Sequence, residues 1–378
     1  MHYYLSSALP SDYSSLALKI PMPFAPTDLS ATDIEYTASR ALAVLGHDPI
    51  SIGSMLISMA LMNTSPSSRA VRQALLGLSS LHRYGVQGQA FEFKISAIKS
   101  LKAASHTNIG TAEALQHVAA GMLLCSFEIQ KASCTSSQWR LFVSGVKQVL
   151  YASSLLSLRR DSIVGAMVDW VYYHHTMGQL SALHWRPDLH TECCPPVACC
   201  GTSQLTPSPT NTLLILFNQG YQVLAATPDP VPPRALQTLA WELQTLPLPD
   251  APDPTFELFR LAILVYFDRM TASTLEPRST TQARIQHALT IFATLDSCPR
   301  QFPLFIIGCE ARTDEERCTV LELIDRTEKT ASSRSVVILR ALIKAVWVQD
   351  DLAGDRELGY REKMTAIVSV CSLLPMFV

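Results

Sequence analysis

The sequence is poor in charged residues and has no basic cluster. Only 16% of its 378 residues are charged, and the formal net charge is −2, whereas about a quarter of the residues in typical soluble domains are charged. The densest basic run is the pair Arg159-Arg160. Because nucleic-acid binding needs clustered Lys and Arg, we expect no DNA-binding module within this chain. A basic surface for membrane attraction is also not indicated.

Cysteine is absent from the first 124 residues, and the first cysteine of the chain is Cys125. A zinc-dependent DNA-binding module needs regularly spaced cysteines beside basic residues. The N-terminus lacks the basic start and the apolar run of a secretory signal. No stretch of about 18 apolar residues predicts a membrane span. These absences predict a soluble intracellular protein whose ten cysteines are mostly reduced.

Motifs of catalysis and cofactor binding are also missing. The sequence has no G-x-G-x-x-G or G-x-x-x-x-G-K-[ST] phosphate loop, no H-E-x-x-H and no G-x-S-x-G. We therefore predict no cofactor and have no positive reason to propose an enzyme. Active sites are often assembled from scattered residues, so a metabolite-binding or enzyme-like protein remains the alternative.

Apolar residues recur at spacings of three and four over most of the chain, and glycine is scarce at 15 residues. This pattern predicts an all-α fold, a multi-helix array of packed antiparallel helices. The sequences Thr32-Asp33-Ile34-Glu35 and Thr313-Asp314-Glu315-Glu316 are typical capping boxes. A short helix is predicted between Pro49 and Pro66. The other predicted helices lie at about 32–45, 67–85, 88–103, 111–131, 136–157, 161–183, 210–226, 233–245, 255–272, 280–296, 313–330, 334–350 and 356–373.

Proline divides the chain, because 13 of the 23 prolines lie between Pro187 and Pro254. Proline removes a helix hydrogen bond and clashes with the preceding turn, so this span cannot be one helix. We predict two helical halves joined by a Pro-rich segment that contains short helices. The predicted divisions are a loosely ordered lead-in at 1–27, an N-terminal half at 28–185, the segment at 186–254 and a C-terminal half at 255–378. Alternatively, 28–378 is one regulatory domain.

Two groups of side chains are candidates for a binding site. A histidine and cysteine loop is a weak candidate for a metal site, because zinc prefers thiolates and imidazoles, although its adjacent cysteines do not have the usual spacing of ligand pairs. Its members are His190, Cys193, Cys194, Cys199 and Cys200. An aromatic and histidine group is a candidate ligand pocket, with helix packing as the alternative. It consists of Trp170, Tyr173, His174 and Trp185.

The C-terminal third carries the most specific motif. Residues 302–311 read FPLFIIGCEA, Glu316-Arg317 follows, and Ala345-Val346-Trp347 comes about thirty residues later. This resembles the fungal-specific transcription factor domain that follows a binuclear zinc cluster, in which a PLFIAGCEA segment precedes a helix bearing an arginine. Residues 75–82 (LLGLSSLH), 139–150 (WRLFVSGVKQVL) and 172–187 are similar to further segments of that family.

The resemblance implies a nuclear, transcription-regulator-like protein that controls a secondary-metabolite pathway by binding a protein partner or a small effector. The zinc cluster of that family is not found here, so the regulator is expected to lack its own DNA-binding module, unless the gene has a further upstream exon. Homodimerisation and a purely structural scaffold stay open. The motif residues Gly308, Glu310, Arg317 and Trp347 are expected to be structural, with Glu310 and Arg317 paired across a helix start.

Overall fold

Helices make up the regular structure of the chain. A computed structural model describes residues 48–85, 87–105, 110–130, 138–153, 155–158, 162–185, 209–227, 231–247, 253–298, 300–330, 334–353, 359–371 and 374–377. Fourteen α-helices and no strand occur within these ranges. The predicted all-α class is therefore confirmed. No helix in the described part is long and apolar enough to cross a membrane.

Contacts between residues divide the chain into two units, Met1–Val171 and Tyr172–Val378. The boundary falls inside the helix Ser162–Trp185, whereas the connecting segment is predicted from the sequence at 186–254. Within that segment, the two predicted helices are present at Pro209–Ala226 and Pro233–Thr245. The remaining predicted divisions, including the lead-in at 1–27, stay predictions.

The first unit is a stack of amphipathic helices joined by short connections. Its helices are α1 (Pro49–Leu61), α2 (Pro66–Tyr84), α3 (Gly88–Ala104), α4 (Thr111–Gln130), α5 (Trp139–Ala152), the 3-10 turn Leu155–Leu158 and the start of α6 (Ser162–Trp185).

Helix α2 packs on α3 and α4, and α4 packs on α5. Small residues permit these close approaches. A Cβ at Gly121 of α4 would lie 2.3 Å from Cγ2 of Val146 in α5. The first unit thus brings its helices together where side chains are smallest.

The second unit contains the rest of α6 and eight more helices. These are α7 (Pro209–Ala226), α8 (Pro233–Thr245), α9 (Pro254–Met270), α10 (Arg278–Thr294), α11 (Gln301–Gly308), α12 (Asp314–Thr330), α13 (Arg334–Ala353) and α14 (Tyr360–Ser369).

Helix α9 is the centre of the second unit and is buried over most of its length. It packs against α7, α8, α10, α11 and α14. A helix that is apolar on all sides is stable only when other helices surround it. The ring of Phe267 lies so near α7 that a Cβ at Gly220 would come within 2.0 Å of it.

Proline begins several helices rather than breaking them. Pro49, Pro66 and Pro254 each occupy the first turn of a helix, and Asp48, Ser65 and Asp253 cap the same helices with their side chains. The first-turn position needs no N–H donor, and the fixed φ of proline suits it. Proline therefore marks where these helices start.

Helix α11 is not among the helices predicted from the sequence. Residues 302–308, expected to be an apolar segment before a turn, form a helix with Pro303 in its first turn. The capping box at Thr313 is confirmed, since Thr313 Oγ1 accepts from the Glu316 N–H at 3.2 Å and Glu316 accepts from Thr313 N at 3.1 Å. The first capping box, at 32–35, lies outside the described residues.

Candidate functional site

The family-like segment FPLFIIGCEA is α11 together with the turn that follows it. Every residue of α11 is buried, and Gly308 is its last residue. A Cβ at Gly308 would stand 2.9 Å from Ile343 Cδ1 and 3.2 Å from Val320 Cγ1. Glycine is thus needed because α12 and α13 approach the helix closely here, not because the backbone has an unusual φ.

Glu310 forms a buried ion pair with Arg269 of α9. Its Oε2 accepts from Nη2 of Arg269 at 2.7 Å and from Nε at 3.0 Å, and its side chain is only 2% exposed. Burial opposes the charge of Arg269, but the Glu310 carboxylate outweighs burial and raises the pKa of Arg269. The expected pairing of Glu310 with Arg317 is wrong, because α9 brings a better-placed arginine to the carboxylate.

Arg317 and Trp347 instead join α12 to α13. Arg317 donates to both carboxylate oxygens of Asp351 at 2.7 and 2.9 Å, and its guanidinium lies 5.3 Å from the centroid of the Trp347 ring. Trp347 donates from Nε1 to the Gly308 carbonyl at 2.9 Å. The four motif residues therefore stabilise the contacts among α9, α11, α12 and α13.

The aromatic candidates for a ligand pocket lie along α6. Trp170 is fully buried in the first unit, whereas Tyr173 and His174 belong to the second unit and are also buried. The rings of Tyr173 and His174 meet edge to face at 5.2 Å. Trp185 lies about 16 Å further along the helix axis, where its Nε1 donates to the Cys371 carbonyl at 2.8 Å. The structure thus brings together Tyr173 and His174, while Trp185 contacts a different segment.

Arg300 is the residue near this group that sequence reasoning missed. It precedes α11, is 9% exposed, and its guanidinium carbon lies 5.6 Å from the centroid of the Tyr173 ring. Burial lowers the pKa of Arg300 and raises that of Tyr173. Burial also raises the pKa of the nearby Cys298 thiol to about 12. No motif marks Arg300, because its burial depends on how α6 and α11 meet.

Basic side chains of the second unit are largely paired with acids. Arg260, Arg284 and Arg340 each contact a carboxylate, as do Arg312 and Lys363, which both contact Asp350. A surface for phosphate binding needs several cations that are free to contact an anion. These pairs leave fewer cations of the described second unit free to contact phosphate.

The weak metal candidates His190, Cys193, Cys194, Cys199 and Cys200 lie outside the described residues, so this metal site stays a prediction. Within the described ranges, no group of three or more His, Cys, Asp or Glu side chains is placed to hold a metal ion.

Comparison with known proteins identifies the family. The profile described as "Fungal specific transcription factor domain" matches residues 35–218 and 227–370. The protein named "Transcription factor iacI" from Pestalotiopsis fici is 39% identical over 355 residues, covering 90% of this chain and 92% of the relative. No solved structure matches the chain. The chain belongs to the fungal-specific transcription factor domain family.

Proposed function

We propose that this chain regulates transcription in the nucleus through a bound partner protein or small effector, and that DNA contact is supplied by the partner. The observation that carries the proposal is the relative named a transcription factor, which aligns with 90% of this chain. Fold and family do not by themselves fix function. The proposal therefore needs further support from the chain's own residues.

The first support comes from the family motif. Gly308, Glu310 and Trp347 all act in helix packing, through a close approach, an ion pair and a hydrogen bond to the backbone. Such residues hold a binding scaffold rigid, and none of them is placed as a nucleophile with a base beside it. This favours regulation by binding over catalysis.

The second support is electrostatic. The net charge of −2 and the ion pairs of Arg312, Arg317 and Arg340 with acids are unfavourable for direct contact with phosphates. A chain with this charge pattern reaches a promoter most readily through a partner that supplies the basic surface. Control of a secondary-metabolite pathway is the further part of the proposal, and it rests on the family resemblance.

Transcript sequencing in the source fungus tests this function. We expect deletion of the gene to lower the transcripts of a clustered set of biosynthetic genes by about tenfold or more. A tenfold change corresponds to about 1.4 kcal/mol in a binding equilibrium that controls transcription initiation. Reintroduction of the unaltered gene is the positive control. Unchanged transcripts across the genome would contradict a regulatory role.

A DNA-binding assay tests the partner separately. We expect the purified chain to leave promoter duplexes from the affected genes unshifted and to join them only when nuclear extract is added. Tight binding by the purified chain alone, weakening steeply with salt, would contradict the need for a partner. It would leave the regulatory role itself intact.

The alternative function is that of a metabolite-binding or enzyme-like protein on the same scaffold. One specific observation favours it. Arg300 and Tyr173 place a cation and a hydroxyl together in an apolar surrounding. Binding of a metabolite there is compatible with transcription control, because an effector has to be sensed somewhere.

A further inference from the structure

Helix α13 has an apolar row on its outer face. Its inner face is buried against α11, α12 and α14. On the outer face, Val337, Val348 and Leu352 are 58%, 55% and 81% exposed. Ala341 and Ala345 are also exposed. These five residues are called the outer stripe.

The outer stripe is straight. Val337 and Val348 are separated by eleven positions, as are Ala341 and Leu352. Eleven residues make close to three turns of an α-helix, so each pair lies on one line along the helix. From its first residue to its last, the stripe is about 22 Å long. A second straight helix can therefore lie along it.

The neighbouring helix α12 shows what an outer face usually looks like. Surface helices carry polar residues on the side away from the core. Exposed residues of α12 include Asp314, Glu315, Glu322, Asp325 and Lys329. Single exposed apolar residues are common, but a continuous apolar row with polar borders is typical of an interaction surface. The outer stripe is such a row.

Charges lie along one border of the outer stripe. At 100° per residue, Lys344 and Asp351 fall on the same side of it, and both are exposed. Asp351 accepts two hydrogen bonds from Arg317 but its side chain is still 58% exposed. Within the described ranges, Lys344 forms no ion pair. The opposite border has the uncharged residues Ile338 and Gln349.

This charge pattern is complementary to itself in one orientation. When two antiparallel helices are related by a two-fold axis, the same border of each copy meets. The midpoint between Lys344 and Asp351 is next to Val348. An axis there places Lys344 of each copy opposite Asp351 of the other, and Val348 against its own copy. Parallel helices would instead place both charges against the uncharged border.

We propose that two copies of this chain associate through the outer stripe of α13, antiparallel about a two-fold axis beside Val348. The charge complementarity between Lys344 and Asp351 is what favours a second copy as the occupant. One stripe about 22 Å long on a helix about 10 Å wide is smaller than the roughly 800 Å² per partner of a standard interface. A dissociation constant on the order of ten micromolar is therefore expected.

Sedimentation equilibrium of the full chain tests the proposal. Measured from about 1 to about 200 μM, the average mass should rise from that of the monomer towards that of the dimer. Higher salt should weaken the dimer, because the two ion pairs at its border are partly exposed to solvent. The measurement does not depend on transcription, so it is independent of the proposed function.

Two variants, each with a matched control, assign the association to this surface. Val348→Asp should raise the dissociation constant at least about tenfold, because it places two carboxylates together at the axis. Val370→Asp is its control, since Val370 is 82% exposed and is not part of the stripe. Thermal unfolding of each variant confirms that it is folded.

The second variant tests the antiparallel orientation. Lys344→Glu places an acid opposite Asp351 of the other copy, so the dissociation constant should rise at least about fivefold. Lys329→Glu is its control, because Lys329 is an exposed lysine of α12 and the same change of charge there should leave the constant unchanged.

Three results would overturn the inference. They are a monomer at every concentration, a dimer that is unaffected by Val348→Asp, and a dimer that responds equally to Lys344→Glu and Lys329→Glu.

Discussion

A recessed arginine lies near each end of helix α11, and the two arginines have different partners. At its C-terminal end, Arg269 donates twice to Glu310, and the carboxylate is almost fully buried. At its N-terminal end, Arg300 lies beside the ring of Tyr173 without a described acid. The residues next to the two ends of α11 therefore differ, because Arg269 is paired with an acid and Arg300 has none among the described residues.

This difference predicts that the two arginines contribute differently to stability. Removal of one partner from a buried ion pair is strongly destabilising, because the other partner is left as an uncompensated buried charge. Arg300 interacts with Tyr173 and with no acid among the described residues, so its substitution leaves no described carboxylate without a partner. Substitutions at the two ends should accordingly have very different effects on the free energy of unfolding.

The largest loss in the free energy of unfolding is expected for Glu310→Gln. The substitution removes the counter-charge of Arg269, whose side chain is 24% exposed, so we expect a loss at the lower end of the range for broken buried pairs, about 3 kcal/mol. Urea unfolding followed by circular dichroism measures it. The matched control is Glu322→Gln, since Glu322 lies 3.9 Å from Arg326 and is 71% exposed. A loss below about 0.5 kcal/mol is expected for the control. Equal losses in both variants would show that the buried ion pair of Glu310 stabilises the protein no more than the exposed one of Glu322.

Sequence patterns predicted the helical fold because amphipathic periodicity is a local property. The helix predicted at 233–245 agrees with the structure at both ends, and that at 67–85 differs by one residue. Helix α11 was missed because it is uniformly apolar and contains Pro303. A buried helix has no polar face, so its period is not visible.

The second-largest loss in the free energy of unfolding is expected for Gly308→Ala. The added Cβ would meet Ile343 and Val320 at 2.9 and 3.2 Å, and overpacking of this kind costs about 1 to 3 kcal/mol. Alanine regains up to about 1 kcal/mol of helix propensity, so we expect a net loss of about 1.5 kcal/mol in urea unfolding.

The control for this substitution is Gly145→Ala in α5, where an added Cβ meets nothing within 4 Å. This helix-interior glycine should show the propensity gain alone, about 0.5 to 1 kcal/mol of added stability. A gain at both positions would mean that α12 and α13 yield to the extra methyl group. The tight packing at the C-terminal end of α11 would then not be the reason for glycine.

The third-largest loss of stability is expected for Trp347→Phe. It removes the hydrogen bond from Nε1 to the Gly308 carbonyl and reduces the aromatic surface beside Arg317. One neutral hydrogen bond contributes about 1 kcal/mol, and we expect a destabilisation of that size in thermal unfolding. Trp241→Phe is the control, because Trp241 is 62% exposed. A comparable loss at Trp241 would contradict the special role of Trp347.

The candidate site was only partly predictable. Tyr173 and His174 stood out because aromatic and imidazole side chains are conspicuous in a sequence. Their rings meet as neighbours on α6, and a ligand pocket there stays a prediction. Arg300 did not stand out, because a single arginine after a proline is ordinary in sequence. Its burial against Tyr173, more than a hundred residues earlier, is set by tertiary packing. The pairing of Glu310 was mispredicted for the same reason, since its partner Arg269 comes from another helix.

The smallest effect on stability is expected for Arg300→Met, and it tests the comparison most directly. Methionine fills a similar volume with apolar atoms and removes the cost of holding a charged group away from water. We expect the free energy of unfolding to stay within about 1 kcal/mol of the unaltered protein or to rise. Urea unfolding beside Glu310→Gln gives the answer within one experiment. A loss as large as that of Glu310→Gln would mean that Arg300 stabilises the fold as much as the buried pair of Arg269 and Glu310 does.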